Sequence, residues 1–293
     1  MEGIIEKSSS NHKLVLDNYC KLIICHEEIL SRIVKCFVDE AKHLTLNEIE
    51  RLIKEKKSFQ HLDKENFIPY SGKTNYDFLC TIDLSPRIYL NVEIQNDPNP
   101  GYSLITRGLT YISRIMTTQW KNEYYDYDYN HIKKVYSIWI LPQSAKKNDG
   151  HINAYKIDEI NINGTTIERI ETYDKGVLIM IYLNKEHDTN EKYIIYDNIL
   201  TPLVAFLNNV LNYQEKRKIM KKYGFKVIDK EIEKMCNLGE MIEREAKQKE
   251  RKKRNIMVVK NLIHNLNTTF SNAVELLGLP QQEIDEIKKY FQS

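Results

Sequence analysis

The stretch Tyr76-Asp77-Phe78-Leu79-Cys80-Thr81-Ile82-Asp83-Leu84-Ser85-Pro86-Arg87-Ile88-Tyr89-Leu90-Asn91-Val92-Glu93-Ile94-Gln95 decides how the chain is read. Phe78 to Ile82 and Ile88 to Ile94 are apolar, β-prone runs. Leu84-Ser85-Pro86-Arg87 between them is turn material, because Pro86 presets its own φ and has no N–H for a ladder. Folding at that turn sets positions whose numbers sum to about 171 opposite each other. Asp77 then lies beside the Glu93–Gln95 segment. Glu93 and Gln95, two apart on one strand, share a face. Two carboxylates and an amide converge, the oxygen-rich donor set that a hard cation such as Mg²⁺ takes. Acids near strand ends are also common as solvated surface groups, so the pattern alone admits a plain surface hairpin.

The same register chooses between two aspartates. Asp83 sits at the turn, level with about Ile88, five residues from Glu93. At a rise of ~3.3 Å per residue that is roughly 16 Å, too far to share an ion. Asp77 is the better partner, with a bulge as the device that would bring it onto the shared face.

A chain of 293 residues with 42% hydrophobic and 29% charged residues suits one large globular domain with an appendage. The net charge of +2 selects no class of partner. Five scattered cysteines without a C-x-x-C pair point to reduced thiols in a cytoplasmic protein. No apolar run reaches the ~18–20 residues of a membrane span, and no signal-peptide start is visible, so a soluble protein without a membrane partner is expected. The eight histidines form no zinc pattern. A Walker A loop, a G-x-G-x-x-G turn and a G-x-S-x-G elbow are all missing from the sequence.

Helical periodicity starts near Leu14 and is clear from His26 to Val38; Thr45-Leu46-Asn47-Glu48 is a capping box opening a second helix. Lys54 to Tyr70 is polar and irregular. After the hairpin, Ser103 to Trp120 reads as a helix, Val135–Leu141 as a buried strand, Ile152–Tyr173 as a hairpin around Asn163-Gly164, Val177–Leu183 as a buried strand, and Asn198–Tyr213 as a helix. Residues 1–213 therefore read as one α/β domain with a mixed sheet flanked by helices. Residues 214–293 read as a basic helical appendage, including Lys247 to Arg254 and a break at Gly278-Leu279-Pro280. The basic run is either a charged helical face or a phosphate-attracting patch, and the last helices pack on the core or on a second subunit.

The helix after the hairpin carries Arg107, Tyr111, Arg114 and Thr118 at spacings of four, three and four, hence on one face. Ile105, Leu109, Ile112 and Met116 are left to pack on the sheet. The Arg/Tyr face is either solvated or a phosphate clamp, since guanidinium matches phosphate geometry.

The blocks Tyr76-Asp77, Asn91-Val92-Glu93-Ile94-Gln95-Asn96-Asp97, Gly101-Tyr102, Arg107-Gly108, Tyr111-Ile112-Ser113-Arg114, Gln119 and Ile132 to Ile140 resemble the PD-(D/E)XK nuclease family transposases, also called recombination-promoting nucleases. The resemblance extends from about residue 14 to about residue 240, taking in Glu27–Glu40, Glu65, Tyr223-Gly224 and Glu233–Leu238. It implies a restriction-endonuclease-like fold and metal-dependent cleavage of DNA phosphodiesters. Carried over, Asp77 and Glu93 would be Mg²⁺ (or Mn²⁺) ligands, the Ile94 carbonyl a third, and Glu65 a supporting acid acting through the metal's water shell. Gln95 stands where the general pattern has lysine, as is common in this subfamily, and Tyr76 stands where it has proline. Arg107, Tyr111 and Arg114 would contact DNA phosphates. The leading expectation is a DNA endonuclease of mobile-element, recombination or defence type. The alternatives are a weakly active DNA-binding protein on the same fold and a protein-interaction module using the C-terminal helices.

Overall fold

The computed structural model describes residues 24, 26–55, 59–62, 65–68, 72–120, 122–143, 148, 150–183, 197–207, 211–226 and 229–291. In chain order the elements begin with α1 (Glu27–Phe37), α2 (Leu46–Lys54), β1 (Phe59–His61), β2 (Glu65–Ile68), β3 (Gly72–Asn75), β4 (Phe78–Asp83) and β5 (Arg87–Ile94). Next come α3 (Leu104–Thr118), β6 (Val135–Leu141), β7 (Ile152–Lys156), the single turn α4 (Ile170–Tyr173) and β8 (Gly176–Tyr182). The chain closes with α5 (Asp197–Leu207), α6 (Tyr213–Lys222), α7 (Asp229–Leu266), α8 (Phe270–Leu276) and α9 (Gln281–Lys288).

The hairpin forms as β4 and β5, with Phe78 opposite Val92 and Asp83 opposite Arg87. Paired numbers therefore sum to 170, one less than expected. That shift sets Asp77 level with Glu93 without a bulge. The sheet order is β1-β4-β5-β6-β8-β7, and β2 and β3 form a separate antiparallel pair. β5, β6 and β8 run parallel, while β1, β4 and β7 pair antiparallel with their neighbours. A parallel pair needs a crossover, and α3 makes the one from β5 to β6. All seven residues of β6 are buried, as a strand covered on both faces requires.

Side chains alternate between the two faces. Tyr89, Val135, Trp139, Leu141, Leu178 and Met180 pack with Ile112 and Ile115 of α3. On the opposite face Tyr136 donates to Glu40 at 2.7 Å and accepts from the Asp39 N–H at 3.1 Å, tying down the segment after α1. Two glycines let α3 approach closely. A Cβ on Gly108 would stand 2.5 Å from Leu178 Cδ1 and 3.2 Å from Trp139 Nε1, and one on Gly176 would stand 2.8 Å from Ile112 Cγ2. The capping box at Thr45 is present, and His26 caps α1 by accepting from the Glu28 N–H.

The close approach changes the expected helix face. Tyr111 is buried rather than on a solvated stripe, and Leu109 is exposed. The contact line runs through Leu104, Gly108, Tyr111, Ile112 and Ile115. Three other expectations differ. Residues 54–70 contain β1 and β2, too short to stand out in a polar stretch. Asn163-Gly164 makes no hairpin, since β7 pairs with β8 across the whole 157–175 segment. Of the helix expected over Asn198–Tyr213, α5 covers the part to Leu207; residues 208–210 lie outside the described residues, and Asn212 opens α6 with a capping box of its own.

The described residues form two compact units, one within Asp17–Glu233 and the other within Lys234–Ser293. The division falls beyond the expected boundary at 213 because α6 is fastened into the first unit. Lys216 Nζ donates to the Phe206 carbonyl at 3.0 Å, and Arg32 donates to the Tyr223 carbonyl at 2.8 Å. In the second unit Val259, Ala273, Val274 and Ile287 form a core shared by α7, α8 and α9. Among the described residues no helix is long and apolar enough to cross a membrane.

Candidate active site

β4 begins at Phe78, and just before it the Asp77 N–H bonds to a side chain of β5. The Asp77 N–H donates to Glu93 Oε1 at 3.1 Å, and Asp77 Oδ2 accepts from the Ile94 N–H at 2.9 Å. The two acids are brought together by these reciprocal bonds at the end of the hairpin. The N–H groups of Tyr89 and Gln95 go to carbonyls beside or at the end of β6, Lys134 and Ile140. Even-numbered residues of β5 therefore point their backbone groups the other way. The Ile94 carbonyl accordingly faces the side where Asp77 sits.

Glu93 is 3% exposed, and a buried carboxylate needs donors. With its amide turned so that Nδ2 faces the acid, Asn91 donates to Glu93 Oε1 at 2.9 Å and to the Phe78 carbonyl at 3.0 Å. Asn91 Oδ1 then accepts from Ser137 Oγ at 3.0 Å. Ser137 Oγ in turn accepts from Trp139 Nε1 at 2.9 Å. Asn91 pairs with Ser137 and Glu93 with Trp139 across β5 and β6, so the network is a product of strand register. Neither Asn91 nor Ser137 stands out in the sequence as a site residue. The available signal was polar residues at alternate positions within buried runs, where only a mutually bonded set is stable.

Gln95, at the end of β5, donates from Nε2 to the Asp97 carbonyl at 2.8 Å. Arg107 on α3 reaches Gln95 Oε1 at 3.5 Å and Tyr102 Oη at 3.0 Å. It also donates from Nη2 to Tyr111 Oη at 2.7 Å. The guanidinium lies 5.1 Å from the Tyr111 ring centroid and 5.2 Å from that of Trp139. Burial works against its charge, but the bonds and charges of Tyr111, Tyr102 and Glu93 prevail and raise its pKa. Burial, with the charges of Glu93 and Asp77, holds the Tyr111 phenol protonated despite Arg107. Trp139 thus supports both halves of the site, through its ring under Arg107 and its N–H on Ser137, which connects to Glu93 by way of Asn91.

The structure gathers Asp77, Glu93, Ile94, Gln95, Arg107 and Tyr111. Arg114 lies seven residues past Arg107, about 10 Å along α3. Glu65 pairs with Asn75 in the β2–β3 ladder, but its side chain lies outside the described residues. Asp83 is committed to a bidentate bond with Arg87 (2.7 and 3.0 Å) at the other end of β5. There it belongs to a structural group with Glu123 and Tyr89.

Among the described residues no three His, Cys, Asp or Glu side chains gather around one point. Two carboxylates and a carbonyl on one side still suit Mg²⁺, which binds through one or two carboxylates while keeping several waters. No protein-family model matches the chain, and no curated protein or solved structure matches it significantly.

Proposed function

We propose that the chain is a metal-dependent DNA endonuclease on a restriction-endonuclease-like core, serving mobile-element recombination or defence. The observation that carries this reading is the reciprocal bonding of Asp77 and Glu93 through the backbone of the opposite residue or its neighbour. Support comes also from the mixed sheet, in which an antiparallel hairpin carries the acids and α3 crosses to a parallel strand.

Asp77 and Glu93 would hold Mg²⁺ or Mn²⁺, with the Ile94 carbonyl beside them. The bound ion would supply charge to a phosphoryl oxygen and acidify a water. Asn91 fixes the Glu93 carboxylate, so that its orientation does not depend on the substrate. Gln95 can orient a water through its amide but can neither carry charge nor act as a base. Arg107 supplies a permanent charge at that place, aimed by three aromatic neighbours, and can pair with a phosphate. Arg114 would hold a further backbone phosphate along α3.

A second reading is a DNA-binding protein that cleaves poorly. It is favoured by Gln95, whose amide replaces a lysine and is engaged by both Asp97 and Arg107. Plasmid nicking with Mg²⁺, with Mn²⁺ and with EDTA decides between them. Metal-dependent nicking that Glu93→Gln removes supports the nuclease. DNA binding without nicking under every metal condition supports the second reading.

A further inference from the structure

Beyond α3 the chain carries Trp120-Lys121-Asn122-Glu123-Tyr124-Tyr125-Asp126-Tyr127-Asp128-Tyr129. The proposed cleavage site uses none of these residues. Arg107 and Trp120 are thirteen positions apart, which places the two regions roughly 20 Å from each other along the helix direction.

Four of the rings form a closed circuit. Trp120 and Tyr124 have centroids 5.4 Å apart, and Tyr124 and Tyr129 are 5.7 Å apart. Tyr129 and Tyr127 are 6.4 Å apart, and Tyr127 returns to Trp120 at 5.5 Å. Tyr124 is buried and forms the floor, whereas Trp120, Tyr127 and Tyr129 are 37%, 73% and 56% exposed. Contiguous aromatic surface of this kind on a protein face marks an interaction site.

Its electrostatics select a cation. Aromatic faces carry negative quadrupole density. The fifteen-residue helix α3 ends two positions before Trp120 and directs the negative end of its dipole there. Asp126 and Asp128 lie in the same turn. Asp128 is shared with Asn130 and His131, and Glu123 is held by Arg87 and Tyr89. Asp126 is exposed and makes no ion pair among the described residues. A phosphate chain would meet this charge unfavourably.

The backbone adds an independent observation. Asp126 and Tyr127 have φ of 48° and 62°, in the left-handed region that glycine occupies most easily. The chain places a carboxylate and the most exposed ring of the circuit at two consecutive positions where glycine would be less strained. Strain of that kind is characteristic of ligand clamps.

We propose that the Trp120–Tyr124–Tyr129–Tyr127 circuit docks an arginine side chain of a partner protein. The guanidinium lies over the rings, with Asp126 as its counter-ion. Arginine fits better than lysine because its flat, weakly hydrated head group stacks on aromatic faces.

The test uses the full-length protein titrated calorimetrically with a hexa-arginine peptide at about 0.1 M salt, where distant surface charges are screened. Saturable binding is expected. Trp120→Ala and Tyr127→Gly should each weaken it about tenfold, and Asp126→Asn about threefold. Tyr127→Gly separates ligand binding from folding, because glycine relieves the left-handed backbone: Tm should hold while affinity falls. Absence of wild-type binding overturns the proposal, as does equal affinity of the wild type and the two ring variants. Tighter binding of an oligothymidylate or of cellohexaose, lost in the same variants, would instead assign the rings to bases or sugars.

Discussion

Asp77 and Glu93 are bonded through each other's strands. The Asp77 N–H reaches Glu93 Oε1 at 3.1 Å, and Asp77 Oδ2 receives the N–H of Ile94, the residue after Glu93, at 2.9 Å. Each acid therefore helps to close the hairpin as well as to form the site. Truncating either to alanine mixes the two roles. Asp77→Asn and Glu93→Gln keep an oxygen for the backbone donor and remove the charge. Each should lower metal-dependent cleavage by about 10²-fold or more, with Tm nearly unchanged. Wild-type nicking rates in either variant would show that the acids are structural only.

Asp83→Ala provides the contrast. It breaks the Arg87 bridge, whose side chains are more than a third exposed, so the stability loss should stay within about 1 kcal/mol. Cleavage should be unaffected. A large activity loss there, alongside an active Asp77→Asn, would move the site to the wrong end of β5.

Asn91→Ala should cost about 1–3 kcal/mol by urea denaturation, because it removes the acceptor of the buried Ser137 hydroxyl and one of the donors to Glu93 Oε1. Ser137→Ala acts on the same network. The double variant should therefore lose less than the sum of the single losses, a coupling of at least about 0.5 kcal/mol. Strict additivity would mean that the bonds at 2.9 and 3.0 Å do not operate as one network.

Gln95→Lys tests how the missing lysine is compensated. Arg107 Nη1 is 3.5 Å from Gln95 Oε1, so a lysine would place a second cation against the guanidinium. Gln95→Lys alone should be less active than Gln95→Lys combined with Arg107→Gln. If the single variant cleaves as well as the double, Arg107 is not the substitute charge.

Asp39 gives the stability profile an acid limb. Burial disfavours its charge, but bonds from Lys42 and Lys156 outweigh that and hold its pKa at about 2, from an ordinary 3.8. The folded value lies below the unfolded one. Its stabilisation is thus complete above the unfolded value and is lost as the pH falls through about 2. Urea midpoints measured from about pH 5 down to about pH 2 should fall less steeply in Asp39→Asn than in the wild type. Parallel curves would exclude Asp39 as a contributor.

What could be read in advance follows the range of the forces involved. Alternating apolar runs, Pro86 and the Thr45 box are local, and they placed the hairpin, β6, β8 and α3. The pairing of Asp77 with Glu93 rather than Asp83 needed only strand arithmetic, wrong by one position. What escaped is set between elements. Tyr111 belongs to the core because Gly108 draws α3 onto Trp139 and Leu178, and no periodicity within the helix records that approach. Asn91 and Ser137 become partners only when β5 and β6 align. Within the basic run, Arg251 meets Glu283 at 2.7 Å and Lys252 meets Glu286 at 3.6 Å, acids some thirty residues away. A count of charges along the helix could not foresee that neutralisation.

Gly108 makes the gap between α3 and the sheet a dimension set by an absent atom. Arg107 is its immediate neighbour, so how far the guanidinium reaches toward Gln95 depends on a position placed in no catalytic role. Adding a single methyl group, Gly108→Ala, would act as a shim. It would lift the first turns of the helix away from Trp139 and Leu178, leaving every reactive group chemically intact but wrongly spaced.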